Sequence, residues 1–414
     1  MKRFRYSQLL VVVFTALCCR DKIFVADEYW GDNSRDDSTT IKEFNTETTE
    51  VDLDTDIDTD TDTETEIEIE TETDTDTDPG TETAPDTETD TAPIEDTDTI
   101  VSCGLPTEFS WRSSDPLVLA SSDDASIKDP TVVLFNDIEE TWLVYVTTII
   151  GRELSIAFLS FTDWGQAGAA EQTPMSSNED FSGYMAAPQL FYFAPQDLWY
   201  LVYQTPEPSY SYTKDPTDVS SWSAPTQFMP MPSIVTNEGK DSIDYWVICD
   251  DNDCYMFFSA NNCKLYRVQT TREEFPNGFK ENTTEMIMED DPSSMRLFNS
   301  CNVYKLAGMN QYLLLVLAMN GVQRYYQSWT SDRLNGSWTR LADTEFNSFA
   351  SIHNVTNADW VEGGIEHGEM LRRNPDETMT IDTCNMQYLF TGLKASEADP
   401  ESQYYCLGLL TPAK

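Results

Sequence analysis

Thr141-Trp-Leu-Val-Tyr-Val146 is a short apolar run, and runs of the same kind return four more times. They are Leu198-Trp-Tyr-Leu-Val-Tyr203, Cys254-Tyr-Met-Phe-Phe-Ser259, Gln311-Tyr-Leu-Leu-Leu-Val316 and Met386-Gln-Tyr-Leu-Phe-Thr391, with starts 57, 56, 57 and 75 residues apart. Short runs of β-branched and aromatic residues divided by Gly, Asn, Asp and Pro read as strands. A further strand precedes each: Pro130-Thr-Val-Val-Leu-Phe135, Pro188-Gln-Leu-Phe-Tyr-Phe193, Asp244-Tyr-Trp-Val-Ile248, Asn302-Val-Tyr-Lys-Leu306 and a run near His367. Each repeat has room for about four strands, so the chain predicts an all-β, five-bladed β-propeller. A two-sheet sandwich is the alternative, but it leaves the repeat unexplained. In a propeller the first strand of every blade lines the central channel. Asp129, Asp244, Asn299 and His367 fall just before or at that strand, each in a different blade, so this fold would gather them at one pocket.

Ahead of these repeats lies a segment of another character. From about Thr46 to Ile100, Thr alternates with Asp or Glu. Both alternating types are polar, so a strand would have nothing to bury, and like charges repel along the chain. Residues 21–102, with 30 Asp and Glu against 3 Lys and Arg, are therefore expected to form a disordered acidic tether. The folded part, residues 103–414, holds 43 acids against 18 bases within a total charge of −48. Nucleic acid and anionic membranes would meet net repulsion, whereas neutral ligands such as sugars would not.

The chain opens with Lys2, Arg3 and Arg5 and an apolar run from Leu9 to Leu17. That run is too short to span a bilayer and suits a signal peptide, residues 1–20. No later segment predicts a membrane span. Cys18 and Cys19 sit where a lipid-accepting cysteine would, although Thr15-Ala16-Leu17 matches that cleavage pattern poorly. Secretion is expected, with lipid anchoring at the cell surface as the variant. No feature argues against a monomer.

Only His353 and His367 are present. A His-rich zinc site is excluded and Ser-His-Asp chemistry has little room, so an enzyme here would work with carboxylates. Of nine cysteines, two lie in the signal region. Export makes disulfides plausible for the other seven, with one thiol left over. A Cys103–Cys384 bridge would tie the ends of the domain, and Cys249 and Cys254 could clip a hairpin.

Several segments carry a family pattern. They include Cys103-Gly-Leu-Pro with Phe109-Ser-Trp111, Ser126-Ile-Lys-Asp129, Ala187-Pro-Gln-Leu-Phe-Tyr-Phe-Ala-Pro195 with Leu198-Trp199, and Phe257-Phe258. Lys264-Leu-Tyr-Arg267, Val303-Tyr-Lys-Leu306, Gly336-Ser-Trp338, His367-Gly368 and Asn374-Pro-Asp-Glu-Thr-Met-Thr380, leading into Cys384-Asn385, continue it. In this order, over residues 103–393, they resemble glycoside hydrolase family 62, the α-L-arabinofuranosidases that trim arabinoxylan. The resemblance implies a five-bladed propeller and an inverting hydrolase acting on arabinofuranosyl side chains of plant cell-wall arabinoxylan or arabinan. It gives Asp129 the role of general base, Lys128 a sugar contact and Asp244 the tuning of the acid. It places His367 under the sugar pocket, where relatives hold a central cation, so a structural Ca2+ in the channel is expected while no cofactor is required for the reaction. The family's Leu-Phe-Glu is here Leu297-Phe298-Asn299, so an amide occupies the general-acid position. Glu289, Asp290 or Asp291 on the preceding loop would be substitute proton donors. Thr205 stands where a Trp is usual and Phe390 where a Tyr is common, both expected at the sugar. The alternative to an enzyme is a catalytically impaired, carbohydrate-binding propeller. Sequons at Asn282, Asn335 and Asn354 complete the motifs.

Overall fold

The computed structural model describes residues 103–413, apart from 123, 124, 137, 241, 261, 262, 292–296, 322 and 396–402. The expected signal peptide, lipid-site cysteines and acidic tether lie outside the described residues.

After a short β1 (Trp111–Ser113), three four-stranded antiparallel sheets follow in chain order. The first holds β2 (Ala125–Asn136), β3 (Thr141–Ile150), β4 (Glu153–Phe161) and β5 (Thr173–Pro174). β6 (Ala186–Phe193), β7 (Leu198–Gln204), β8 (Pro208–Thr213) and β9 (Thr226–Gln227) form the second. The third contains β10 (Ser242–Cys249), β11 (Asp253–Ala260), β12 (Lys264–Thr271) and β13 (Glu285–Glu289). The other strands belong to one larger sheet. In it β14 (Asn299–Leu306), β15 (Tyr312–Asn320), β16 (Gln323–Ser331) and β17 (Thr339–Ala342) make one antiparallel run. β18 (Val355–Thr356) then lies parallel to β1. β19 (Glu362–Met370), β21 (Tyr388–Ala395) and β22 (Gln403–Pro412) make a second run that ends on β1, while β20 (Thr380–Ile381) adds to β14. One parallel pair, Arg324 with Gly364, joins the two runs.

The recurring apolar runs are the second strands β3, β7, β11, β15 and β21, and the runs before them are the first strands β2, β6, β10, β14 and β19. Second strands such as β3 and β11 are buried along most of their length, which is why they read as continuous rather than alternating apolar sequence. β2 packs against β6 and β19, and β10 against β6 and β14, so the first strands meet. Trp246 of β10 wedges against Tyr304 of β14 at 5.3 Å between rings, and its Nε1 donates to Val303 O at 2.9 Å. Tyr145 of β3 donates to Pro216 O at 2.7 Å and accepts from Trp222 Nε1 at 3.0 Å, tying the first sheet to the second. Buried aromatics of this size dominate core energetics, and the polar ends of Trp and Tyr need such partners.

Turn chemistry agrees with the strands. Gly151, at φ 61°, turns β3 into β4, a conformation open to glycine at no steric cost. Between β10 and β11, Asp250 Oδ1 accepts from the backbone N–H groups of Asn252 and Asp253, both at 2.9 Å, and the Cys249–Cys254 disulfide clips the hairpin. A second disulfide, Cys103–Cys384, spans 281 residues. The single leftover thiol expected from the count is corrected: Cys263, Cys301 and Cys406 all lie outside these two disulfides, and all three are buried. Cys263 precedes β12 in the third sheet, while Cys301 of β14 and Cys406 of β22 lie in the larger sheet, where as buried thiols they behave as small apolar side chains. Among the described residues no helix is long and apolar enough to cross a membrane.

Candidate active site

All five first strands carry a break in register. In four of them a residue other than glycine sits in the left-handed region at the break: Asp129 (φ 50°) in β2, Ala187 (φ 50°) in β6, Asp244 (φ 55°) in β10 and Ser300 (φ 53°) in β14. In β19 the breaks fall at Glu362/Ile365 and Glu366/Gly368. Such bulges re-aim side chains, and holding a side-chain-bearing residue there costs about 1–3 kcal/mol. Residues from all five bulges line one cavity of about 210 Å3: Lys128 and Asp129, Ala186, Asp244, Asn299 with Ser300, and Glu366 with His367.

Asp129 is the centre of this cavity's electrostatics. Its side chain is 6% exposed, with Oδ2 3.2 Å from Lys128 Nζ and Oδ1 3.3 Å from His367 Nδ1. Its backbone N–H donates to Thr391 Oγ1 at 2.9 Å. Burial alone would raise its pKa, but the Lys128 charge and the His367 hydrogen bond hold it well below the usual carboxylate range. Burial would likewise lower Lys128, yet Asp129, Asp244 and Glu366 together lift it above its ordinary value. For His367 burial works downward, and the hydrogen bond and charge of Asp129 with the charge of Asp244 carry it upward. The site therefore keeps a fixed anion against a fixed cation.

Two other carboxyl groups line the cavity and behave oppositely. Burial, followed by the charge of Asp129, raises Asp244 in spite of His367, whose Nδ1 lies 3.9 Å away. The Asp244 N–H donates to Gln204 Oε1 at 3.2 Å, and Gln204 in turn donates to the Tyr184 hydroxyl. Glu366, 7% exposed, is also raised by burial although Arg324 pairs with it. Arg324 lies 5.5 Å over the ring of Phe298. Asn299 Oδ1 is buried with no hydrogen-bond partner among the described residues.

Lys128, Asp129, Asp244, Asn299 and His367 are thus brought together as expected. Two expected sugar contacts are not. Phe390 is fully buried and stacks on Trp360 at 5.7 Å, while its neighbour Thr391 points to Asp129. Strand alternation sends consecutive side chains to opposite faces. Thr205 closes the β7–β8 turn, its Oγ1 donating to Glu207 O at 2.7 Å, and the preceding Gln204 lines the cavity instead. The loop carboxylates are misplaced as proton donors as well: Glu289 and Asp290 line a separate cleft of about 380 Å3 beside Trp329 and Trp338, and Asp291 lines neither. Sequence reasoning missed Tyr184, Gln204, Phe298, Arg324, Glu366 and Tyr405. Glu366, next to His367, Gln204, next to Thr205, and Phe298, next to Asn299, carried a signal there. As for a cation, Ca2+ takes six to eight oxygen ligands, and among the described residues no three His, Cys, Asp or Glu side chains gather to hold a metal. His367 Nδ1 faces Asp129 with Lys128 on the same carboxylate. The described side chains do not fit a protein-built Ca2+ site.

The model of glycosyl hydrolase family 62 matches residues 110–411. The chain belongs to glycosyl hydrolase family 62. The chain is similar to α-L-arabinofuranosidase C of Cellvibrio japonicus, 38% identical over 317 residues that cover 75% of this chain and 48% of that protein. The chain thus spans about half the length of this curated relative. Two solved family 62 structures match over 98% of their own length and 75% of this chain. The catalytic domain of the Coprinopsis cinerea arabinofuranosidase is 42% identical with a TM-score of 0.69. The Podospora anserina arabinofuranosidase, solved with cellotriose, is 36% identical with a TM-score of 0.69. A family 62 hydrolase solved with xylotriose is 36% identical over 74% of this chain and 98% of its own, with a TM-score of 0.68.

Proposed function

We propose that this family 62 protein is an inverting α-L-arabinofuranosidase that removes arabinofuranosyl side chains from arabinoxylan or arabinan, and that Asn299 slows it at proton donation. The observation that carries this reading is Asp129, buried in the cavity yet held ionised by Lys128 and His367. A carboxylate so placed takes a proton from water as that water attacks the anomeric carbon. Inversion sets this base and the acid about 6.5–9.5 Å apart, with the water between base and sugar. The proton that the leaving oxygen needs is the weak point, since the Asn299 amide has none to give at neutral pH. The five antiparallel runs, with their first strands meeting around the cavity, support a five-bladed propeller. The disulfides support an oxidising, extracellular setting, and the protein acts as a monomer.

A second reading is favoured by Asn299 itself. Its buried, unpartnered Oδ1 offers a hydroxyl group an acceptor, which suits a protein that binds arabinose-substituted xylan without turning it over. Arabinose release from arabinoxylan by the intact protein, beside D129A and N299E, separates the two. Release by the native protein that D129A abolishes makes it an enzyme. Release by N299E alone makes the natural protein a binder with an intact pocket. Release by neither refutes the hydrolase reading. Cell fractionation and solution mass test secretion and the monomer.

A further inference from the structure

Tyr184 lines the cavity yet takes no part in the charge pairs around Asp129. It lies just before β6, is 41% exposed, and sits within electrostatic reach of Asp244, Lys128 and Asp129. The direction of its hydroxyl follows from a chain of hydrogen bonds that begins at the backbone. The Asp244 N–H can only donate, and it donates to Gln204 Oε1 at 3.2 Å. That contact fixes which end of the Gln204 amide is which, so the Nε2 group, a donor that accepts nothing, faces Tyr184. The phenol oxygen therefore accepts from Gln204 and cannot return its own proton along the same line. Among the described residues the hydroxyl has no other hydrogen-bond partner. Burial, followed by the charge of Asp244, pushes its pKa up to about 12, so the proton stays on at neutral pH. The hydrogen is left for whatever occupies the cavity.

The cavity has use for such a group. Asp129, Asp244 and Glu366 supply it with acceptors, and the Asn299 amide oxygen is one more. Its charged donors are already committed: Lys128 and His367 face Asp129, and Arg324 pairs with Glu366. A neutral, hydroxyl-bearing ligand brings its own donors to those acceptors, but its oxygen atoms still need a donor from the protein. The chain also runs through two sheets, with Gln204 ending β7 and Asp244 at the bulge of β10, which holds the phenol in one direction.

Resting on the arabinofuranosidase reading, we propose that Tyr184 is a specificity-determining residue whose hydroxyl donates a hydrogen bond to one hydroxyl oxygen of the arabinofuranosyl group, with Gln204 fixing that direction. Calorimetric titration of the intact protein, Y184F and Q204E with methyl α-L-arabinofuranoside and its 2-, 3- and 5-deoxy analogues tests it, at about pH 8, where an introduced carboxyl is ionised. The native protein should bind the parent glycoside about threefold to tenfold more tightly than Y184F, the scale of one neutral hydrogen bond. Deleting one of the sugar hydroxyls should weaken the native protein by a similar factor and leave Y184F unmoved, while the other two deletions act on both proteins alike. Q204E keeps the phenol but offers it an acceptor, which draws the proton out of the cavity, and it should lose the same coupling. Y184F that binds the parent glycoside as tightly as the native protein overturns the assignment, and so does an equal response of both proteins to every deletion. Coupling that survives in Q204E overturns the direction of the chain. Native protein that binds none of these glycosides fails the parent reading, whereas native binding without the coupling fails the Tyr184 donor alone.

Discussion

Asn299→Glu is the perturbation with the largest expected gain. Asn299 is the first residue of β14, aimed into the cavity by the bulge at Ser300, and its amide oxygen has no partner among the described residues to lose. A carboxyl there would be buried near Asp244 and Asp129, and both burial and like charge raise its pKa, which keeps it protonated. The base is already in place, with Asp129 held ionised. The gain is then the general-acid contribution alone, roughly 10²–10⁴-fold, or about 3–5 kcal/mol off the barrier. Leaving-group chemistry gives a stringent assay. A sugar hydroxyl needs the proton to leave, whereas 4-nitrophenolate does not. N299E should therefore release arabinose from arabinoxylan about 10²–10⁴ times faster than the native protein, with its rate on 4-nitrophenyl α-L-arabinofuranoside little changed. Native protein that matches N299E on arabinoxylan would refute the reasoning, because the proton would then come from another group. An equal gain on both substrates would refute it too, since proton donation would not be what changed.

Other expectations follow from the same geometry. Asp129→Asn should lower arabinose release by N299E at least about 10²-fold with an unchanged circular dichroism spectrum; a smaller drop removes Asp129 as the base. Stability should depend on pH through two groups of opposite sign. Asp129, depressed in the fold, stabilises fully above its unfolded value of about 4 and loses this as pH falls through its folded value. His367, raised in the fold, stabilises fully below about 6.5 and loses this as pH rises through its folded value. Calorimetric midpoints should thus fall on both sides of roughly pH 4–6.5, and H367Q should flatten the alkaline side; an unaltered alkaline slope contradicts this. Phe390→Ala should cost about 3–5 kcal/mol of unfolding free energy and leave the Kd for a small arabinoside unchanged, whereas a sugar contact would show the reverse. Replacing Cys103 and Cys384 with Ser opens a closure spanning 281 residues and should lower stability by up to about 5–6 kcal/mol on the loop-entropy account, read from denaturant midpoints.

The strands were legible because second strands are buried on both faces and announce themselves as unbroken apolar runs. The pocket was legible as far as Lys128, Asp129, Asp244, Asn299 and His367, since their places relative to those runs can be counted. What could not be counted was direction. Phe390 and Thr391 are neighbours on β21, and only the pleat decides that Thr391 meets Asp129 while Phe390 meets Trp360. The bulges were hidden for a related reason: Asp129, Ala187, Asp244 and Ser300 all have positive φ without being glycine. Arg324 and Tyr405 reach the cavity from strands whose local sequence shows no chemistry, so nothing short of the assembled sheets puts them there.

The pairing of β1 with β22 has a bearing on how the protein is made. Leu409 N–H donates to Ser114 Oγ, and Thr411 Oγ1 to Arg112 O, across 295 and 299 residues. Contacts of such long range form slowly and late. On a ribosome the sheets of β2–β5, β6–β9 and β10–β13 can complete themselves one after another, but the edge of β1 that pairs with β22 waits until β22 has been synthesised. The vulnerable interval is therefore set by translation time rather than by the stability of any one sheet, and a chain stalled just short of β22 would carry its strands with an open seam.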